Sequence, residues 1–592
     1  MASLDKNKID FYLLGRVLGL AKPYRGVFAL AVLLTVVLAP LATLRPWLVQ
    51  DIVDNYIFVS DTHGLTRMAL ILCGVLIVEA SLRYVFIYAT SWLGQAVIRD
   101  LRVRVFKHIV RLRLSYFDRT PIGTSTTRTI NDIEAINTVF SQGSITIIAD
   151  LIMLLTVLGV MFYTSWKLTL ICLATMPFLI IASYIFKEKV KVSFQRVRTE
   201  IARMNAFLQE RITGMRIVQI FNAEQQEMGK FGKINREYTQ ANLDSILYYA
   251  VFFPVVEIIA AASLGLMVWW GAQDALRAGG VTLGALVAFP IYLDMLFRPI
   301  RTVANNFNTL QMGLVASERV FGVIDKADHI ENNGTVQPEK LIGEVAFKNA
   351  WFAYNAKEYV LKDISFHIRP GQTLALVGST GSGKTTIINI LNRFYDIDKG
   401  SILIDGKNIR EYELEALRRR IGIVLQDVFL FSGSVLDNIT LRDPRFSREE
   451  VVEAARLIGA HEFIERLPGG YDYQVMERGA TLSMGQRQLI SFVRALIFDP
   501  DILILDEATS SIDPETESVI QYAIEKLIAK RTSIIIAHRL STIRHADNIM
   551  VLSKGEVQEF GSHEELLRIE DGHYRHLYEM QFLQAAAEGE GG

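Results

Sequence analysis

The stretch Gln372-Thr-Leu-Ala-Leu-Val377-Gly378-Ser-Thr-Gly-Ser-Gly383-Lys384-Thr385-Thr386-Ile-Ile decides how the second half of this 592-residue chain folds. Its apolar opening reads as a buried strand, its glycine-rich middle as a loop, and the residues from Thr386 onward as a helix. The pattern G-x-x-x-x-G-K-[ST] in that strand–loop–helix context is a phosphate-binding loop. Gly378, Ser379, Thr380, Gly381, Ser382 and Gly383 let consecutive amides turn inward on phosphate oxygens. The start of the helix adds a favourable dipole. Lys384 is placed to reach the outer phosphates of a nucleotide, and the Thr385 hydroxyl to ligate Mg²⁺. Thr386 follows in the first helical turn.

Two further strands are expected beside this one. Ile502-Leu-Ile-Leu505 runs into Asp506-Glu507, one carboxylate for a divalent ion and one to polarise a water. Thr532-Ser-Ile-Ile-Ile-Ala537 ends in His538. Between the phosphate loop and Ile502, Leu482-Ser483-Met484-Gly485-Gln486-Arg487-Gln488 opens a helix to about Ile497, with Ser483 as its cap. The free amides around Gly485 make a second anion site. Because the first loop already cradles a nucleotide, this second site is expected to complete the site of another copy.

The first half has a different character. Six apolar runs of membrane-spanning length are read at 27–50, 66–93, 140–164, 168–187, 246–271 and 282–304. Arg99, Arg102, Arg104, Lys107, Arg111, Arg113, Arg119 and Arg128 crowd the loop between the second and third, and the loop between the fourth and fifth is equally basic. Residues 51–66 carry Asp51, Asp54 and Asp61 and no Lys or Arg. The positive loops therefore place the N-terminus, both long loops and the C-terminal half in the cytoplasm. Those loops are poor in Gly and Pro, so spans two to five are expected to continue as helices and reverse near Pro121 and Gly214. Phe11, Leu13, Leu14, Val17 and Leu18 form one face of a helix along the membrane surface, and residues 1–26 show no cleavable leader.

Composition excludes several classes. A formal charge of -1 gives no field to collect nucleic acid, and 14 Pro with 51% hydrophobic residues excludes disorder. The two Cys, Cys73 and Cys172, lie in apolar runs and are expected to pack there. A polar, turn-rich stretch from Lys326 to Pro338 marks a linker. The expected organisation is a membrane all-α six-helix transmembrane domain over 1–325 and a linker over 326–342. A cytoplasmic α/β P-loop nucleotide-binding domain over 343–585 and a tail over 586–592 follow.

Taken together, these motifs resemble an ABC exporter half-transporter of the type IV, lipid and multidrug class, along nearly the whole chain. Residues 378–385 match Walker A, Ile502 to Asp506 Walker B, and Leu482 to Gln486 the signature sequence. Gln426 in Ile423-Val-Leu-Gln426 matches the Q-loop, His538 the switch histidine, and Asp513 in Ser510-Ser-Ile-Asp513 the D-loop. Tyr354 in Trp351-Phe-Ala-Tyr354 matches the aromatic that stacks on adenine. Glu477-Arg478-Gly479 resembles a loop that touches the membrane domain, and residues 116–123 and 213–224 the coupling turns. The resemblance implies ATP and Mg²⁺ held by Walker A of one subunit with Ser483, Gly485 and Gln486 of its mate. Thr385, Gln426 and Asp506 then serve the metal, Glu507 acts as general base, and His538 holds phosphate and water in register. Met484 stands where the family has a glycine.

A homodimer in the cell (inner) membrane, moving amphiphiles such as lipids or drugs, is the first expectation. A heterodimer or a nucleotide-gated channel is the alternative. Arg45, Glu79, Arg83, Asp150, Glu257, Asp294, Arg298 and Arg301 are ionisable residues inside the expected spans and are candidate substrate contacts. Glu79 and Arg83, four apart, are alternatively a helix-face pair.

Overall fold

A computed structural model describes residues 10–140, 144–277, 280–326, 329–355, 358–506, 514–537 and 543–580; of residues 144, 300–308 and 514–515 only the backbone is described. The chain divides into two compact units, one made of residues 1–111 and 120–327, the other of 112–119 and 328–592.

The first unit is helical. Its elements are α1 (Phe11–Gly19), α2 (Arg25–Ile52) and α3 (Thr62–Ile109); α4 (Leu114–Arg119) belongs to the second unit. The helical unit resumes with α5 (Ile122–Thr129), α6 (Asn131–Thr138), α7 (Ser144–Thr164), α8 (Trp166–Ala174) and α9 (Met176–Thr213). It ends with α10 (Met215–Ile220), α11 (Glu224–Leu276) and α12 (Leu283–Ile324). Local chemistry sets the starts: Asp10, Asp61, Ser165 and Thr282 each accept a backbone N–H of the first turn of α1, α3, α8 and α12.

Among the described residues five segments are long and apolar enough to cross a membrane: Lys22–Ile57, Thr62–Ile109, Ile145–Thr164, Trp166–Thr213 and Glu224–Leu276. The sixth expected span, 282–304, falls on α12 and runs into residues described by backbone alone. The chain is a multi-pass membrane protein. Its outer faces fit that solvent: Ile258 and Trp269 of α11 are both more than half exposed. Cys172 is buried as expected, but Cys73 is exposed, on a face of α3 whose apolar neighbours Leu70 and Ile77 are exposed too.

The long extensions form as α3, α9 and α11. Between α3 and α7 the chain is instead broken into α4, α5 and α6; Pro121 lacks an N–H and pushes Thr120 out of helical geometry, which separates α4 from α5, and α5 parts from α6 at Ile130. α9 and α11 run antiparallel, and ion pairs join Arg196 to Asp244 (2.8 Å), Arg203 to Glu237, and Arg211 to Glu227 (2.6 Å). Each pair is half-exposed and contributes about 0–1 kcal/mol. The partners run in opposite order along the two helices, as antiparallel packing requires.

The second unit is α/β. Strands β1 (Val345–Phe352), β2 (Leu361–Ile368), β4 (Lys399–Ile404) and β5 (Lys407–Asn408) make an antiparallel sheet in the order β2-β1-β4-β5. A second sheet has the order β12-β11-β3-β10-β9-β6, from β3 (Thr373–Val377), β6 (Ile421–Val424), β9 (Ile502–Asp506), β10 (Thr532–Ile536), β11 (Asn548–Ser553) and β12 (Glu556–Gly561). All its pairings are parallel except β11 with β12. Short β7 (Gly433–Ser434) pairs with β8 (Gln474–Val475). The helices are α13 (Lys384–Leu391), α14 (Leu414–Arg420), α15 (Val435–Thr440), α16 (Arg448–Leu457), α17 (His461–Glu465), α18 (Met484–Ile497) and α19 (Pro514–Ile528).

The parallel sheet is buried on both faces, which is why its strands read as unbroken apolar runs. Leu374, Leu376, Ile502, Ile504, Ile534 and Ile536 enter one core together with β1, β2 and α13. Their alternate neighbours Ala375, Val377, Leu503, Leu505 and Ile535 enter the other, against α15, α16 and α18. Because side chains alternate along a strand, a one-residue slip would exchange the two sets. That constraint fixes the C-terminal ends of β3 and β9 side by side with β10.

Candidate functional site

The phosphate loop grows out of β3. Gly378 has φ +154°, and a Cβ there would stand 2.2 Å from the backbone oxygen of Leu552 in β11. Gly383, at φ +108°, caps α13 and leaves room for a Leu361 methyl that a Cβ would approach to 2.6 Å. At Gly378 only glycine fits without displacing the sheet, whereas at Gly383 a Cβ would strain the backbone and push the Leu361 side chain aside. Lys384 opens α13 and is buried, its Nζ donating to the carbonyls of Gly378 (2.7 Å) and Ser379 (3.1 Å). Burial lowers its pKa from the ordinary lysine value, and the negative charge of Asp506 at the end of β9 works against that shift.

Ser382 supplies the test of fit. Its hydroxyl is buried in the loop and has no hydrogen-bond partner among the described residues. A buried polar atom left so costs about 1–3 kcal/mol, which an oxygen-rich ligand in the loop would recover. Ser379, Thr380, Gly381 and Thr385 are exposed around it. The arrangement is a cradle for phosphate: one ammonium, free amides at a helix start, and hydroxyls on the rim.

Tyr354 is brought to this loop. Its hydroxyl donates to Thr386 Oγ1 at 3.3 Å and accepts from Asn389 Nδ2 at 3.2 Å. Phe352 and Tyr395 meet its ring edge-on, at centroid separations of 4.8 Å and 5.0 Å. Two residues of the 116–123 turn, to which the sequence assigned no partner residue, then appear. Arg119 of α4 donates to the carbonyl of Tyr354 at 2.8 Å and to Asn355 Oδ1 at 3.3 Å. Asp118 accepts from the Tyr395 hydroxyl; burial first, and this bond next, push that phenol's pKa up. The signal in the sequence was the turn at residues 116–123, expected as a coupling turn but without its partner residues.

Ser483, Gly485 and Gln486 lie elsewhere in the same unit. Ser483 caps α18, its hydroxyl accepting from Gln486 N (3.2 Å) while its own N–H donates to Gln486 Oε1 (3.0 Å). Arg487 reaches back to the carbonyls of Leu482 (2.8 Å) and Gly479 (3.3 Å) and holds the preceding loop in place. Met484, Arg487 and Gln488 line a cavity of about 140 Å³ with Gln426, Asp427 and Arg478, so the expected Q-loop residue stands beside this helix. Among the described residues no hydrogen bond joins Ser483–Gln486 to residues 378–385.

Glu507, His538 and Asp513 lie outside the described residues. Among the described residues no cluster of three or more His, Cys, Asp or Glu could hold a metal. The donors expected for Mg²⁺ are oxygen atoms of Thr385, Gln426 and Asp506, the ligand chemistry that ion prefers. Of the ionisable residues in the spans, Arg83 pairs with Glu79 at 3.2 Å, Arg298 and Asp294 are exposed, and the Arg301 side chain lies outside the description.

Comparison with known proteins agrees with this arrangement. The family described as the ABC transporter transmembrane region matches residues 28–300, and the ABC transporter family matches residues 361–510. An uncharacterized ABC transporter ATP-binding protein of Bacillus subtilis, YknV, is 40% identical over 96% of this chain and 94% of its own length. The probable multidrug resistance ABC transporter ATP-binding/permease protein YheH of Bacillus subtilis is 40% identical over 91% of this chain and 80% of its own length. An ATP-dependent lipid A-core flippase of Syntrophus aciditrophicus is 36% identical over 96% of this chain and 94% of its own length. With one helical membrane region and one ATP-binding unit in a single polypeptide, the chain belongs to the ABC exporter family, as a half-transporter that couples ATP hydrolysis to transport.

Proposed function

We propose that the chain acts as a homodimer in the cell membrane that exports or flips lipid-like or drug-like amphiphiles, with each ATP held between residues 378–386 of one copy and Ser483, Gly485 and Gln486 of the other. The observation that carries the reading is the separation within one chain. Among the described residues, a phosphate cradle with an orphaned Ser382 hydroxyl and an exposed, self-capped Ser483 turn have no hydrogen bond between them. Two copies related by a twofold axis would bring each turn to the other's cradle. The names of the relatives, a lipid flippase and multidrug export proteins, support the amphiphile class. The basic loops support cytoplasmic nucleotide units.

In this reading Tyr354 stacks on the adenine and the loop amides and Lys384 hold the phosphates. Mg²⁺ supplies charge neutralisation at the phosphates, held through Thr385, Gln426 and Asp506. The Glu507 carboxylate accepts a proton from the water that attacks the terminal phosphorus. His538 orients that water and phosphate, and the bond to the leaving ADP oxygen breaks as the new one forms.

The substitution of Met484 for a glycine favours one second reading, an unequal pair with a different subunit. Mass measurement of the purified complex distinguishes the two. The function is tested in proteoliposomes with a fluorescent lipid. Wild-type protein moves it between leaflets in an ATP-dependent way, and Glu507→Gln binds ATP but neither hydrolyses it nor moves lipid. Undiminished hydrolysis in Glu507→Gln would overturn the assignment of the base.

A further inference from the structure

The helical unit carries an open cleft of about 670 Å³ between α1, the start of the first apolar segment, and the C-terminal parts of α3 and α12. Phe11, Tyr12 and Phe321 make its apolar side; Arg16, Lys22 and Arg104 make its charged side, and no carboxylate lines it. The three cations are not equivalent. Arg16 is committed, its two terminal nitrogens donating to both Asp325 oxygens at 2.8 and 2.9 Å while its guanidinium lies 4.1 Å from the Phe321 ring centre. Lys22 and Arg104 make no hydrogen bond or ion pair among the described residues. Arg104 acts on Asp325 only through space, and Arg16 already neutralises that carboxylate.

The floor of the cleft is the backbone of α1. Gly15 and Gly19, one turn apart, both line the cleft, and a Cβ on either would meet nothing within 4 Å. Phe11 and Tyr12 are each 77% exposed, and Lys22 is the first residue of the apolar segment Lys22–Ile57. A water-soluble anion would gain nothing from the aromatic wall, and a neutral hydrocarbon would leave two cations unanswered. The ligand that satisfies both sides has an anionic head and an apolar chain, and it reaches the cleft from the bilayer beside it.

We propose that this cleft holds an anionic phospholipid of the leaflet in which α1 lies, its headgroup on Lys22 and Arg104 and one acyl chain along Gly15, Gly19 and Phe321. Such a lipid ties α1 to the ends of α3 and α12 and makes the lipid composition of the membrane a determinant of how firmly α1 is held. It is a resident lipid, distinct from whatever the protein transports.

The test uses the full-length protein in nanodiscs that contain photoactivatable phosphatidylglycerol or phosphatidylcholine, with labelling read on the peptide covering residues 10–25. The wild type is labelled by phosphatidylglycerol in preference to phosphatidylcholine, and salt reduces the preference. Removing both charges in Lys22→Gln/Arg104→Gln lowers phosphatidylglycerol labelling of that peptide by about thirtyfold at low salt. Gly15→Trp fills the open floor and lowers labelling by both lipids. Retained ATPase activity in each variant shows that it is folded. Equal labelling by the two lipids in wild type, or unchanged labelling in both variants, overturns the proposal. Displacement of the lipid by glycerol phosphate at matched concentration assigns the cleft to a soluble anion and overturns it as well.

Discussion

The glycines of the phosphate loop can be ranked by what a methyl group would meet, and Gly378→Ala is the decisive substitution. At Gly381, φ is +83° and a Cβ would meet nothing within 4 Å, so alanine there suffers backbone strain alone, about 1–2 kcal/mol. At Gly383 a Cβ meets the end of the Leu361 side chain, which can rotate away. At Gly378 the obstacle at 2.2 Å is the Leu552 carbonyl, part of a strand whose neighbour Val551 is paired with Val377. That oxygen cannot retreat without opening the parallel pair. Strain of about 1–3 kcal/mol and overpacking of a similar size therefore add. The loop yields first, and its amides leave the positions in which they converge. The expected result is a loss of ATP affinity of about a hundredfold or more for Gly378→Ala, about tenfold or less for Gly381→Ala, and an intermediate value for Gly383→Ala. Titration with a fluorescent ATP analogue on the full-length protein, with thermal unfolding alongside, reads both effects. Equal losses at 378 and 381 would refute the argument from the Leu552 carbonyl.

Arg119→Ala removes the donor to the Tyr354 carbonyl, an exposed bond contributing about 1 kcal/mol. It should raise the KM for ATP about fivefold with kcat little changed, and an unchanged KM would show that α4 does not hold Tyr354. Lys384 has a pKa below the ordinary lysine value because burial disfavours its charged form. Nucleotide phosphates favour the charged form, so ATP affinity should be full at neutral pH and fall as pH rises through that lowered pKa. Binding titrations from pH 7.5 to 10, with Lys384→Arg as the variant that stays charged, check this. A flat wild-type profile would count against it.

Much of the nucleotide unit was legible because its constraints are local. Gly378 to Thr385 carries both its geometry and its chemistry within one turn of chain, and the two-faced burial of β3, β9 and β10 writes itself as apolar runs. Ser483 was legible as a cap for the same reason, since the hydroxyl and the amide it accepts are three residues apart. The contacts of α4 were not. Arg119 lies 235 residues from Tyr354, and nothing in the composition of either segment names the other. Cys73 was misjudged because an apolar run says that a residue avoids water, while lipid and protein interior satisfy that requirement equally. The break between α4 and α5 turned on Pro121, which the sequence marked as a reversal without fixing how many pieces would follow.

The placement of α4 has a mechanical consequence. Its six residues belong to the nucleotide unit, yet Arg111 before it and Thr120 after it belong to the helical unit. Arg113 bonds to the His329 carbonyl at 2.9 Å and pairs with Asp396, Asp118 holds Tyr395, and Arg119 holds Tyr354. Each contact is weak by itself, but they act in parallel on one short helix, so α4 follows the nucleotide unit when that unit moves. Four residues, Val110 to Arg113, then connect it to α3, an uninterrupted helix of 48 residues without an internal proline. At 1.5 Å per residue it is about 70 Å long, and a helix of that kind turns as a rod more readily than it bends. α2 with Pro40 and Pro46, α11 with Pro254 and α12 with Pro290 and Pro299 differ, and prolines concentrate bending. Within the helical unit, bending therefore falls on the proline-containing helices rather than on α3.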